Sequence, residues 1–201
     1  LLAQEDVMNE NAYVPVFRAG HNLSFFYSAE YSTWTIDQDA TSVESEKIKP
    51  LSQTGVNSGV FVRYAYHINI VSNFGFFVGT TAGALVDMGT YGRLKQGYGF
   101  AFPTILAGLT LNLGQSFRFF SGAEYGATWY PEMTITTDRG IAKVIGPVPE
   151  MYSVFGGVDY FFSKNKAFLF QMGWRNQTVS NLNNASSLNT LSIQNNSYFA
   201  Q

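Results

Sequence analysis

Residues 117–129 read Phe117-Arg118-Phe119-Phe120-Ser121-Gly122-Ala123-Glu124-Tyr125-Gly126-Ala127-Thr128-Trp129. Odd positions carry Phe117, Phe119, Ala123, Tyr125, Ala127 and Trp129, and even positions carry Arg118, Gly122, Glu124, Gly126 and Thr128. In a β-strand successive side chains point to opposite faces, so a period of two separates these sets cleanly. Both charges lie on the face that holds the glycines. The other face is almost wholly rings and methyl groups.

The same period recurs on either side. Leu23, Phe25, Tyr27, Ala29 and Tyr31 alternate with Ser24, Ser28, Glu30 and Ser32. Val56, Val60, Val62, Tyr64 and Tyr66 alternate with Asn57, Gly59 and Arg63. Further alternating segments run from Phe74 to Asp87, Tyr152 to Phe162 and Phe168 to Gln177, and an eighth starts near Ile193 and is still running at Gln201. Between residues 98 and 113 the apolar parity changes, from Tyr98, Phe100 and Phe102 to Ile105, Ala107, Leu109, Leu111 and Leu113. Pro103 stands at the change. A bulge adds one residue to a strand, reverses its parity and tolerates proline, so the spacing predicts a bulge there.

The charges within these segments are Glu30, Arg63, Asp87, Arg118, Glu124, Asp159 and Arg175, all on the polar parity. The apolar parity is rich in Phe, Tyr and Leu throughout, and no amphipathic helix is available to cover it. Charged residues form only 13% of the 201-residue chain against 46% apolar. A soluble domain carries about 25% charge. That composition suits a surface that faces lipid, where a basic side chain at the midplane costs about 2–4 kcal/mol. The longest uncharged run, Gln96 to Phe117, contains Gly97, Gly99, Pro103, Gly108 and Gly114, which excludes a membrane helix of ~20 residues. A net charge of −2 argues against a nucleic-acid partner. The absence of cysteine excludes a Cys-ligated metal.

Connections alternate in length. Long polar ones cover 37–54, 87–97, 131–149 and 179–192, and short ones cover 67–73, 114–116 and 163–166. Trp129 and Trp174 lie on the apolar parity at strand ends beside long connections, where indole rings anchor at a membrane–water boundary. Trp34 lies off that parity.

Alternating segments, two-sided connection lengths and inward charges of both signs resemble the small bacterial outer-membrane barrels typified by the OmpA membrane domain. The resemblance covers roughly residues 20 to 201. It implies an all-β, antiparallel, up-and-down transmembrane barrel of about eight strands, with short periplasmic turns, long outer loops and membrane lipid around it. Residues 1–19 then form a lead segment, whose Leu1-Leu2-Ala3-Gln4 reads as a signal-peptide remnant or a simple boundary. Residues 20–201 form a single barrel domain. One departure is the final segment, Ser197-Tyr198-Phe199-Ala200-Gln201, which stops mid-strand where such barrels finish a complete strand on an aromatic residue. The expectation is a truncated sequence or an unusual closure.

The functional expectations follow from the two faces. An eight-stranded barrel has an interior just wide enough for side chains. Three bases, Arg63, Arg118 and Arg175, face three acids, Glu30, Glu124 and Asp159, and buried charges require partners. A polar network plugging the lumen is expected, in a non-enzymatic structural protein without cofactors. On the lipid side Thr80, Ala82, Ala84 and Ala107 form a small-residue patch suited to lateral self-association. His21 and His67 are both placed at the periplasmic end, as surface or turn residues without a nucleophile beside them. The acidic loop residues Asp37, Asp39, Glu44 and Glu46 lack the glycine a calcium loop needs. The rival readings are a narrow conduit for small hydrophobic molecules, a lipid-modifying enzyme and, for the fold, a soluble lipocalin-like barrel.

Overall fold

The computed structural model describes residues 19–38, 51–91, 94–95, 98–101, 103–137, 140–145, 150–163, 166–179 and 191–201. Its main sheet is built from β1 (Gly20–Gln38), β2 (Leu51–Asn69), β3 (Phe74–Tyr91), β5 (Tyr98–Ala101), β6 (Ile105–Leu113), β7 (Phe117–Trp129), β10 (Glu150–Ser163), β11 (Lys166–Val179) and β12 (Leu191–Ala200). A second sheet joins β4 (Leu94–Lys95), β8 (Glu132–Thr137) and β9 (Gly140–Ile145). Sequence neighbours pair antiparallel around the main sheet, and β12 pairs with β1 to close the ring. The lead segment 1–18 lies outside the described residues.

Nine strands form the ring, but β5 and β6 share the same neighbours, β3 and β7, and so occupy one position in the wall. The barrel therefore has eight positions. Across the break, β3 advances from Gly83 to Gly79 while its partner advances from Ala101 to Leu106. That is four steps against five. The additional residue is the bulge at Pro103, and it turns Ile105 outward and Leu106 inward while Phe100 stays outward and Ala101 inward.

The final segment does close the barrel. It pairs with β1 from Ala29↔Ala200 to Gln38↔Leu191 and with β11 from Met172↔Ala200 to Val179↔Ile193. Gln171 and Gln201 extend this ladder by one reciprocal pair of backbone hydrogen bonds.

The apolar parity faces out. Phe25, Ile105, Phe168 and Tyr198 are more than three-fifths exposed. This belt runs from Leu23 to Tyr31 on β1 and from Tyr152 to Phe162 on β10, matching the ~9–11 residues of a tilted membrane strand. Its edge nearer the long connections carries Tyr31, Tyr198, Trp174, Tyr152, Trp129 and Phe100, with Tyr152 edge-on to Trp174 and Phe100 stacked on Trp129. Its other edge carries the contacting pairs Phe117–Tyr160 and Phe162–Phe168.

The strands outrun the belt. β1 and β2 have 19 residues each and β3 has 18. At ~3.3 Å per residue and ~40° of tilt they rise roughly 45–50 Å, well beyond a ~25 Å apolar band. The long connections are correspondingly shorter than expected. β1 continues to Gln38, β2 begins at Leu51, and residues 131–149 contain the β8–β9 hairpin. Above the belt the outward face turns polar, as at Thr33 and Thr35, so the apolar-out alternation that marks a membrane strand disappears from the sequence although the strand itself continues. The acidic residues 39–46 lie outside the described residues.

Glycines let rings fill the barrel. A Cβ at Gly108 would lie 2.5 Å from the Phe77 ring, one at Gly157 2.6 Å from Phe120, and one at Gly173 2.6 Å from Phe199. Each inward phenylalanine occupies the space that a neighbouring glycine leaves.

Candidate functional site: the lumen

Inward parity on eight wall positions brings the polar residues of every strand into one enclosed column. Glu30, Arg63, Arg118, Glu124, Asp159 and Arg175 all lie in it, each at most 5% exposed. Arg175 is paired with Glu30. Arg118 is paired with Asp159 through Nη2 at 2.6 Å and Nε at 2.7 Å, both to Oδ2.

Arg63 and Glu124 are held differently from the matched acid–base pairs that the sequence suggests. Arg63 donates to Gln171 Oε1 at 2.6 Å and to Thr81 Oγ1 at 3.3 Å, between the rings of Phe26 and Phe155. Glu124 accepts from Thr104 Oγ1 at 2.5 Å and from Ser153 Oγ at 3.1 Å. The physical reason is local. The bulge at Pro103 aims the Thr104 hydroxyl at Glu124, and neutral donors and acceptors are close enough to satisfy both groups without direct pairing. The side chain of Asp87 lies outside the described residues.

Toward the long connections the column is capped. Trp34 and Tyr130 meet edge-to-face and are each 1% exposed. Tyr130 Oη donates to Gln177 Oε1 at 3.1 Å, Asn195 Nδ2 donates to the same oxygen at 3.0 Å, and Gln177 Nε2 donates to Thr128 Oγ1 at 3.0 Å. The middle is a cluster of Phe77, Phe120, Phe155, Phe199, Leu106 and Ala65. Arg175 lies against the rings of Phe61 and Phe199.

Sequence reading placed none of Trp34, Tyr130, Gln171 and Gln177 at the site. Each of them had a visible signal in its parity. Trp34 continues the inward series Ser28, Glu30, Ser32, and Gln171 and Gln177 share the parity of Arg175. Tyr130 continues the inward series Arg118, Glu124, Thr128 one residue past the end of β7.

The two histidines are at the short-turn end of β1 and β2, and one of them is not a surface residue. His21 is exposed, with Nδ1 2.5 Å from Tyr64 Oη. His67 faces the lumen, is 7% exposed and stacks on Phe77. The expectation of a surface or turn histidine fails for it because the inward parity of β2 reaches past residue 66. Trp129 and Trp174 lie on the outer wall, half-buried by their aromatic neighbours. Thr80, Ala82, Ala84 and Ala107 also lie on the outer wall, and Ala107 is paired to Ala123.

A closed antiparallel barrel with an apolar outside and a hydrogen-bonded, ion-paired inside reverses the polarity of a soluble barrel. It is a transmembrane β-barrel, since closure leaves no unpaired backbone edge for lipid to meet. No family model matches the sequence, and no curated protein matches it. Solved structures similar to the chain include Neisserial surface protein A, at 11% identity and TM-score 0.40, covering 89% of this chain and 97% of that one. Another is Ail, the attachment invasion locus protein of Yersinia pestis, at 11% identity and TM-score 0.32, covering 90% and 97%. A third is OmpT, an outer membrane protein of Vibrio cholerae, at 11% identity and TM-score 0.28, covering 90% and 56%. The fold assignment stands on the chain's own strand pairing.

Proposed function

We propose that this protein is a non-enzymatic structural barrel of the bacterial outer membrane, with a closed lumen and with strands and connections that stand above the lipid. The observation that carries the reading is the side-chain filling of the lumen at successive levels, at Trp34 and Tyr130, at the phenylalanine cluster and at Arg118 and Asp159. Such a column supports rigidity and a stable platform for the outer strands, where binding functions concentrate on a fixed scaffold. It disfavours a conduit for hydrophobic molecules, which would have to displace buried ion pairs. Placement of both histidines at the short-turn end disfavours a lipid-modifying enzyme acting at the outer leaflet. Lateral self-association through Thr80, Ala82, Ala84 and Ala107 belongs to the same proposal: bulky Leu at Ala82 and Ala84 should dissociate an oligomer in mild detergent, and a purely monomeric wild type ends that part of it.

The test of the closed lumen is electrical. Purified protein in planar bilayers should show no stable channels, and reproducible large conductance steps would overturn the reading.

A further inference from the structure

At the short-turn end the lumen contains a small cavity of about 20 Å³, lined by Arg63, His67, Arg118, Asp159, Phe77 and Phe120 among others. Its lining is more positive than negative, although among the described residues the lumen as a whole holds three acids and three bases. Two guanidiniums face it and one carboxylate, and that carboxylate already gives Oδ2 to both Nε and Nη2 of Arg118. Arg63 spends its Nε and Nη1 on neutral acceptors, Thr81 and Gln171. His67 adds an imidazole whose buried Nδ1 has no hydrogen-bond partner. Rings of Phe26 and Phe155 flank Arg63 and that of Phe161 flanks Arg118, which lowers the local polarity and raises the cost of uncompensated charge.

We infer that this cavity is a binding site for one compact monatomic anion, of the halide class, held between Arg63 and Arg118 beside His67. Size sets the class. A volume of about 20 Å³ takes one occupant little larger than a water molecule, which requires roughly 10–15 Å³ by the same measure. A halide fits and accepts N–H donors from several directions, whereas phosphate or a sugar acid does not fit. The ion adds negative charge at a lining that itself carries two guanidiniums and one carboxylate, Glu124 lying outside that lining. The inference rests on the lumen lining and is independent of whether the barrel conducts.

Crystals of the full chain grown in bromide test it directly. An anomalous peak within hydrogen-bonding distance of the Arg63 and Arg118 guanidiniums is expected, and a cavity holding water only at saturating bromide overturns the assignment. In solution, exchanging gluconate for chloride at constant ionic strength should raise the temperature of the unfolding band shift by about 2–4 °C. Arg63→Gln should abolish that rise. His67→Phe, which keeps the ring stacked on Phe77 and removes the N–H, provides the second variant should Arg63→Gln not fold, and it should at least halve the rise. An undiminished chloride effect in both variants would place the ion elsewhere and end the proposal.

Discussion

Glu30 and Arg175 form an ion pair whose side chains are 2% and 4% exposed, so each is the other's principal compensation for lost water. Removing one partner leaves a buried charge, and the expected cost is about 3–5 kcal/mol for Glu30→Ala. The double variant Glu30→Leu with Arg175→Met should recover most of that loss, because no charge is then stranded. Urea unfolding of both variants in lipid vesicles decides the matter, and equal instability of the two would contradict it. Gly108 illustrates the opposite hazard, crowding. A methyl group there meets the Phe77 ring and the Ser121 carbonyl oxygen, and Gly108→Ala is expected to cost about 1–3 kcal/mol by the same unfolding measurement. At this scale the sequence was legible in sign and not in partner. Parity alone put Arg63 and Glu124 in the lumen. It could not show that Gln171 and Ser153 would reach them first, since choosing among partners depends on register between strands far apart in the chain.

Strands were legible wherever their two faces differ, and they blurred where the faces become alike. The membrane belt alternates rings with glycines and polar groups, so β7 and β10 could be read almost residue by residue. Above the belt Thr33, Thr35 and Thr54 make the outward face polar, the apolar-out pattern ends, and the strand ends at 37–38 and 51–54 read as part of a connection. The bulge was legible for a different reason: one additional residue reverses parity, and Pro103 marks the place. Deleting Pro103 removes that residue. Tyr98 and Phe100 would then share a parity with the outward Ile105, and the strand would alternate regularly from end to end in the same register with β3. The expected outcome is retention of the folded, heat-modifiable band in gel electrophoresis, and loss of that band would refute Pro103 as the additional residue of the bulge. Position along the strand matters as much as face. Phe170→Arg lies within the apolar belt and should cost about 2–4 kcal/mol, while Thr178→Arg, two turns of the pleat beyond Trp174 on the same face, should cost about 0–1 kcal/mol.

For the whole molecule the decisive property is that side chains fill the lumen at more than one level along its length. The Trp34–Tyr130 cap, the phenylalanine cluster and the Arg118–Asp159 pair lie in series. Opening one should expose what lies directly behind it and leave the rest shut. Ser197 reports on the first of these, since it is fully buried, faces inward and pairs with Ser32 and Arg175 just beneath the cap. The chain contains no cysteine, so Ser197→Cys introduces a single thiol. In an otherwise unaltered barrel that thiol should react slowly with a membrane-impermeant maleimide. Adding Trp34→Ala and Tyr130→Ala should speed labelling by at least tenfold, because the two rings that cover the site are gone. Conductance in planar bilayers should nonetheless stay at the background of the parent, because Phe77, Phe120, Phe155 and Phe199 still fill the section below. Fast labelling with the cap intact would show that the upper lumen is open to solvent. Channels appearing once the cap is removed would show that the phenylalanine layer does not seal, and that closure rests on Trp34 and Tyr130 alone.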